Sequence, residues 1–174
     1  MRRGCAAIAL ALAMAGCGMA EQGAAPQFKL ESSDFPDGGA IPRDFTCDGR
    51  DIRPGLKWSE PPAGTKSLAL IVDDPDAPGG TFGHWGMFDI PPTVRFIGDQ
   101  DVVAREARND FGRPGYGGPC PPPGHGPHHY RFKLLALDTE TLDLRGGAGV
   151  KDVEKAAQKH LVGRAELTGI YERK

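Results

Sequence analysis

Side chains that could bind a small ligand are concentrated at three junctions between a predicted strand and a loop. Residues 74–78 are Asp-Pro-Asp-Ala-Pro after an apolar run, His84 begins the next strand, and residues 128–130 are His-His-Tyr. A carboxylate beside an imidazole fixes the histidine tautomer and favours the protonated ring. Protonated imidazole, a phenol hydroxyl and loop N–H groups together suit a small oxyanion such as phosphate. We therefore predict one anion site, with the two acids orienting the donors, formed by Asp74, Asp76, His84, His128 and Tyr130.

A stiff loop at residues 115–132 leads into the third of these junctions. Its first twelve residues include five glycines and four prolines. Proline lacks a donor N–H and glycine loses much backbone entropy on ordering, so neither a helix nor a central strand is expected there. Loops held by a rigid scaffold often carry binding residues. We expect His84 and His128 to donate to the anion, Tyr130 to add a hydroxyl bond, and glycine N–H groups of this loop to complete the cradle.

Three histidines close together also raise the possibility of a metal site. His125, His128 and His129 could be joined by Cys120 or Asp74 to give four ligands. However, their spacing is unlike known zinc patterns, and the flanking glycines and prolines would hold the rings apart. Metal binding is therefore kept as an alternative, and no metal ligand is assigned.

A hydrolase is the second alternative. None of the serines after the N-terminal segment lies in a Gly-x-Ser-x-Gly motif or beside a predicted histidine site; they are Ser32, Ser33, Ser59 and Ser67. An enzyme would have to use Cys120 or a bound water. The sequence thus favours a binding module without catalytic activity and without a cofactor.

The elements that position these groups are predicted to be mostly strands. Apolar residues alternate or form short runs between Gly/Pro-rich turns, which predicts strands at residues 28–32, 56–59, 67–72, 84–90, within 94–107, 130–138 and 164–171. Helical spacing of apolar residues begins at Val150 and extends to Leu161, with Gly163 as the residue after the helix. The pattern predicts an antiparallel β-sandwich with Greek-key-like connections and at least one C-terminal helix.

The N-terminus carries the features of an export signal. Arg2 and Arg3 precede an apolar run at residues 6–15 that is too short to span a membrane. Met-Ala-Gly-Cys at residues 14–17 is similar to the lipobox of bacterial lipoproteins, in which the cysteine is acylated. We expect residues 1–17 to be a signal peptide lipidated at Cys17, with cleavage after Ala20 as the alternative.

Residues 18–27 would then be a tether and residues 28–174 the folded domain. The protein is expected to be a bacterial lipoprotein, anchored to the membrane and facing the periplasm or the cell exterior. Export leaves two cysteines, Cys47 and Cys120, in an oxidising compartment. We predict that they form a disulfide that ties the Gly/Pro-rich loop to the turn around Cys47.

Length and charge limit the other possibilities. A chain of 174 residues with 39% hydrophobic and 25% charged residues is typical of one globular domain. Its formal net charge is −2, and no basic run is longer than the two residues of Arg2-Arg3. Nothing in this composition indicates a nucleic-acid partner.

Several blocks in one order resemble the phosphatidylethanolamine-binding protein family, in its bacterial Raf kinase inhibitor-like branch. They are Asp-Pro-Asp-Ala-Pro at 74–78, His-Trp at 84–85, Gly-Pro-Cys-Pro-Pro at 118–122 and His-x-Tyr at 128–130. Further matches are Thr-Cys-Asp-Gly at 46–49, Asn-Asp-Phe-Gly at 109–112 and Leu-Ala-Leu-Asp at 135–138. The resemblance extends from about Phe28 to Arg173.

The resemblance implies a β-sandwich with an anion pocket near one end. Transferred by motif, the pocket comprises Asp74, Asp76, His84, Gly118, Pro121, Pro122, His128 and Tyr130. Members of the family bind phosphate-like groups or phospholipid head groups, and some regulate kinases or proteases by binding. The implied partners are thus a small anion or head group and, for some members, a protein. His129 is a departure, because the family usually has arginine between the histidine and the tyrosine.

Overall fold

The computed structural model describes residues 27–98 and 102–174, and within them two β-sheets and one α-helix. The smaller sheet has the strand order β1-β3-β6 and consists of β1 (Leu30–Ser32), β3 (Leu56–Trp58) and β6 (Phe96–Ile97). The larger sheet consists of β2 (Gly39–Ala40), β4 (Ser67–Asp74), β5 (Phe82–Ile90), β7 (Arg105–Glu106), β8 (His128–Leu137) and β9 (Leu161–Tyr171). Its order is β2-β9-β8-β4-β5-β7, and every pair except β2–β9 is antiparallel.

The larger sheet is covered on both faces. Leu68, Leu70 and Val72 of β4 belong to the core shared with the smaller sheet. Ala69 and Ile71, which alternate with them, pack in a second core beneath helix α1 (Val150–Ala157). Successive side chains of a strand point to opposite faces, so a strand buried on both faces needs a continuous apolar run. This explains why the sequence of β4 shows no polar alternation.

The strand order places three chain segments at one end of the larger sheet. β4 lies between β5 and β8, and Asp73 is paired with Gly83 on one side and with Arg131 on the other. The end of β4 and the starts of β5 and β8 are therefore neighbours. After β5 the chain forms β6 in the smaller sheet and then the edge strand β7 of the larger sheet. The long segment after β7 leads back to the start of β8, on the other side of β4. The predicted mostly β sandwich with a C-terminal helix is confirmed.

Several predicted boundaries were wrong. The helix ends at Ala157 and a 3-10 turn, Gln158–His160, follows it, so Gly163 is not the residue after the helix. Gly163 lies in β9, where an added Cβ would come within 2.5 Å of Pro62 Cγ. The glycine is required there for close packing, a need that periodicity does not show. The single strand predicted within 94–107 is two separate two-residue strands, β6 and β7.

The predicted disulfide is present. Cys47 and Cys120, separated by 73 residues in sequence, are bonded. The bond ties the loop before β8 to the segment that follows a 3-10 turn at Arg43–Phe45. The predicted signal peptide, Cys17 and all of the tether except Gln27 lie outside the described residues. No helix in the described part of the chain is long and apolar enough to cross a membrane.

Candidate functional site

The three predicted junctions meet at a cavity of about 190 Å³. Five of the predicted residues line it, namely Asp74, His84, Pro121, Pro122 and His128. The rest of its wall comes from Ala77, Pro78, Phe82, Phe111 and Cys120. The cavity is smaller than the roughly 300–1,000 Å³ of typical drug-sized ligand sites. It therefore has room for a group of phosphate size with a small substituent.

Asp74 and His128 form a buried pair at the wall of the cavity. Asp74 Oδ2 accepts a hydrogen bond of 2.6 Å from His128 Nδ1, and each side chain is less than 5% exposed. Asp74 Oδ1 accepts the N–H of Asp76 at 2.8 Å, which closes a short turn at the end of β4. The other ring nitrogen of His128, Nε2, lies 2.8 Å from Nδ1 of His125. Both nitrogens of His128 are thus engaged within the protein, which differs from the predicted role of a free donor.

His84 is held in one tautomer by the backbone. Its Nδ1 is 2.8 Å from the carbonyl of Gly117, which can only accept, so Nδ1 carries the proton. Burial lowers the pKa of His84, while the Gly117 carbonyl and the negative charge of Asp74 oppose this effect. The ring is therefore mainly neutral near neutral pH. Because Nδ1 carries the proton, Nε2 of the neutral ring is an acceptor and not the predicted donor.

Three predicted residues do not line the cavity, namely Asp76, Gly118 and Tyr130. Asp76 lies outside it, where its Oδ2 accepts from both the backbone N–H and Nδ1 of His129 at 2.8 Å. Tyr130 packs behind His84, with ring centroids 5.1 Å apart in an edge-on contact. The Tyr130 hydroxyl is buried and has no hydrogen-bond partner among the residues described. Burial, followed by the charge of Asp74, raises the pKa of Tyr130, so the phenol stays protonated.

The glycine N–H groups that were expected to cradle an anion are already used. Gly118 donates to Asp51 Oδ1 at 2.6 Å, and Gly117 donates to the carbonyl of His84 at 3.0 Å. An added Cβ at Gly118 would lie 2.4 Å from the carbonyl oxygen of Phe45. Gly118 is thus needed for close backbone packing, and the predicted N–H cradle is wrong for these two residues.

Two residues at the site were not predicted to bind ligand. Phe111, 46% exposed, stands edge-on to Phe82 and His84 at 4.8 and 5.4 Å between ring centroids. It is held by Asn109, whose Oδ1 accepts the N–H of Phe111 at 3.1 Å. His125, considered only as a metal ligand, instead continues the Asp74–His128 chain to the surface. The His-x-x-His spacing of residues 125–128 was the available signal for His125, and the Asn-Asp-Phe-Gly block was the signal for Phe111.

No group of three or more histidine, cysteine, aspartate or glutamate side chains in residues 27–98 and 102–174 is arranged to hold a metal ion. His129 is hydrogen-bonded to Asp76 on the surface. Cys120 is in the disulfide and offers no thiolate as ligand or nucleophile.

Comparison with known proteins agrees with this architecture. A model of the phosphatidylethanolamine-binding protein family matches residues 31–172. A UPF0098 protein of Aquifex aeolicus is 49% identical over 148 residues, covering 82% of this chain and 86% of the relative. The crystal structure of Escherichia coli YbcL, described as a new member of the mammalian PEBP family, superimposes with a TM-score of 0.80 at 36% identity. The match covers 86% of this chain and 100% of YbcL.

The chain therefore belongs to the phosphatidylethanolamine-binding protein family, as its sequence blocks predicted. A Mycobacterium tuberculosis relative, named "Putative lipoprotein LppC", is 42% identical over 151 residues. That match covers 86% of this chain and 73 to 74% of the relative in two strains.

Proposed function

We propose that this protein is a non-catalytic binding protein whose cavity takes up a small phosphate-like group. The observation that carries the proposal is the cavity of about 190 Å³ itself, formed where β4, β5 and β8 meet. Its wall combines aromatic and proline side chains with a few oriented polar atoms, as expected of a preformed ligand site. Free phosphate and phosphorylated head groups are the ligands of matching size in a family named for phosphatidylethanolamine.

The absence of a hydroxyl, thiol or amine nucleophile at the wall supports a binding role. The described residues around the cavity include no serine, threonine or lysine, and Cys120 is oxidised. His128, which could serve as a base, has both ring nitrogens bonded within the protein. Regulation of a kinase or protease by binding, as in some family members, is compatible with the same cavity mouth.

The N-terminal lipobox supports a location at the membrane surface. Acylation of Cys17 would hold the domain by residues 18–27 on the outer face of a bacterial membrane. The relative named as a lipoprotein is consistent with this part of the proposal. Radiolabelled palmitate should enter the full-length protein but not a Cys17→Ala variant, and equal labelling of both would contradict the anchor.

The binding proposal is tested by filling the cavity without disturbing its buried hydrogen bonds. Ala77 lines the cavity and is only half-buried, so Ala77→Leu should block the ligand and leave the fold intact. Calorimetric titration with inorganic phosphate should show at least a tenfold higher Kd than for the wild type. His129→Asn, outside the cavity, is the matched control and should bind normally. Unchanged binding by Ala77→Leu would place the ligand elsewhere.

A further inference from the structure

The disulfide joins an exposed turn to the wall of the cavity. Cys47 is exposed, whereas Cys120 is half-buried. Cys120 lines the cavity together with Pro121 and Pro122. Thiol–disulfide exchange begins when a thiolate attacks one of the two sulfurs, and access helps to decide which sulfur is attacked. The exposure of Cys47 therefore directs an incoming thiolate to that side of the bond.

A guanidinium lies beside the other sulfur. Arg173 Nη1 is 3.9 Å from Cys120 Sγ. The same guanidinium is held by Asp48, at 3.0 Å from Nε to Oδ2 and 2.9 Å from Nη2 to Oδ1. A neighbouring arginine stabilises a thiolate, and a better stabilised thiolate leaves a disulfide faster. Asp48 offsets part of the positive charge but keeps the guanidinium in place, so Cys120 is the favoured leaving sulfur.

Other contacts hold the two cysteines close together. The N–H of Cys47 donates to the carbonyl of Pro119 at 3.1 Å. Asp48 also accepts the Tyr171 hydroxyl at 2.8 Å, which ties the turn to the end of β9. Neither contact involves a sulfur atom, so both remain after cleavage of the disulfide. Cys120 therefore stays within reach of Cys47, and the bond re-forms without refolding.

We propose that Cys47–Cys120 is a site of reversible thiol–disulfide exchange whose substrate is a dithiol reductant. One thiolate of the reductant bonds to Cys47 Sγ, the bond to Cys120 Sγ breaks, and its electron pair remains on Cys120 as a thiolate. The second thiolate of the reductant then attacks the reductant sulfur of this mixed disulfide and releases Cys47. The reductant is oxidised by two electrons to its disulfide, and its two thiol protons pass to the two cysteines.

A monothiol should not complete this reaction. Its mixed disulfide with Cys47 has no second thiol to resolve it. The Cys120 thiolate is held nearby at a high effective concentration, so it attacks Cys47 Sγ and re-forms the original bond. The site is therefore specific for dithiols.

Reduction also frees part of the cavity wall. The three prolines at 121–123 have no N–H to donate, and the next backbone bond of the loop runs from Gly124 to the carbonyl of Arg173 at 3.0 Å. The disulfide thus fixes this stretch at Cys120. A preformed site that becomes more mobile binds its ligand more weakly. This effect on affinity rests on the proposed function, whereas the exchange reaction does not.

The first test locates the attack. The oxidised full chain is treated with glutathione, a monothiol, or with dithiothreitol at equal thiol concentration, stopped with acid and mapped by peptide mass. Glutathione should be found on Cys47, and only dithiothreitol should leave both cysteines as thiols. The urea-unfolded protein is the control and should carry glutathione on either cysteine. Attachment mainly to Cys120, no attachment in the folded protein, or equal reduction by both reagents would overturn the proposal.

The second test measures the role of Arg173. Arg173→Gln should slow reduction by dithiothreitol at least about threefold, and Arg173→Lys should restore most of the rate. Lys174→Gln, which removes the neighbouring charge, is the control and should react like the wild type. An arginine that only holds the loop would give the opposite sign, because loosening exposes the bond. Faster or unchanged reduction of Arg173→Gln would therefore contradict the assigned role.

The third test links the bond to the cavity. Calorimetric titration with inorganic phosphate should give at least about a threefold higher Kd for the reduced than for the oxidised protein. Near-ultraviolet circular dichroism checks that the reduced protein is still folded, and its unfolding would overturn the reversible exchange. Equal affinities would overturn the link to the cavity. Failure of phosphate to bind in either state would instead overturn the proposed function and leave the exchange site intact.

Discussion

Two aspartate–histidine pairs lie side by side in this protein and differ almost only in their surroundings. Asp74–His128 and Asp76–His129 each join the end of β4, or the turn after it, to the start of β8, at 2.6 and 2.8 Å. The side chains of the first pair are 4% and 2% exposed, and those of the second are 41% and 52% exposed. In the first pair the histidine continues a hydrogen-bond chain and faces the cavity, whereas the second lies in solvent. The same chemistry therefore has a structural and ligand-facing role at one position and a minor surface role two residues away.

The largest difference between the two pairs should appear in stability. His128→Ala leaves the buried Asp74 without its partner, which typically costs about 3–5 kcal/mol. His129→Ala removes an exposed partner and should cost at most about 1 kcal/mol. Urea unfolding followed by tryptophan fluorescence measures both free energies of unfolding. Similar losses in the two variants would show that burial does not distinguish the pairs.

The disulfide should stabilise the surroundings of the buried pair more than those of the exposed pair, because Cys120 and His128 line the same cavity. A Cys47→Ser/Cys120→Ser double variant should lose about 2–4 kcal/mol of stability, and hydrogen exchange should rise at residues 115–128. Reduced wild-type protein is the matched control and should lose a similar amount. Two thiols reactive before reduction would contradict the disulfide itself.

The smallest expected effect is the change of the free energy of unfolding with pH, which differs between the buried His84 and the exposed Asp76. Burial lowers the pKa of His84, so the unfolded chain binds a proton more strongly than the folded one as the pH falls below about 6.5. The stability that the neutral ring contributes is complete above this pH. It is lost as the pH falls towards the lower pKa of the folded state, at no more than about 1.4 kcal/mol per pH unit. Hydrogen bonds from His129 lower the pKa of Asp76, so its contribution is present above the usual aspartate pKa of 3.8 and is lost only in stronger acid.

Urea unfolding of the wild type and of His84→Asn between about pH 5 and about pH 7.5 checks this prediction. The variant should lose less stability over the interval, because it lacks the buried imidazole. An equal loss in both proteins would assign the slope to other histidines. An Asp76→Asn variant should follow the wild type throughout this range.

Much of the fold was predictable because it is recorded in local patterns. The continuous apolar run of β4 and the helical spacing after Val150 predicted a strand and a helix that are present. The pairing of Cys47 with Cys120 was predicted because the expected export signal would remove Cys5 and acylate Cys17, which leaves two cysteines. Gly163 was misassigned because its role depends on Pro62, about a hundred residues earlier in the chain and outside any local pattern.

The candidate site was predicted less completely than the fold. Residue type indicated that Asp74, His84 and His128 belong near a ligand, and all three line the cavity. It did not indicate that Asp76 faces solvent or that Gly118 donates to Asp51. It also gave His84 the role of donor, because the acceptor for its Nδ1, the Gly117 carbonyl, lies 33 residues away.

The amino-acid sequence alone was enough to establish the family, the β-rich architecture and the neighbourhood in which acids and histidines gather. Only the tertiary structure decided which acid bonds to which histidine, which ring nitrogen stays open and which pair is removed from water. Residue types and periodicity indicate which side of a strand is covered. They do not record depth of burial or the direction of hydrogen bonds, since these depend on atoms supplied by distant segments such as β4 and β8, whose partners Asp74 and His128 are 54 residues apart.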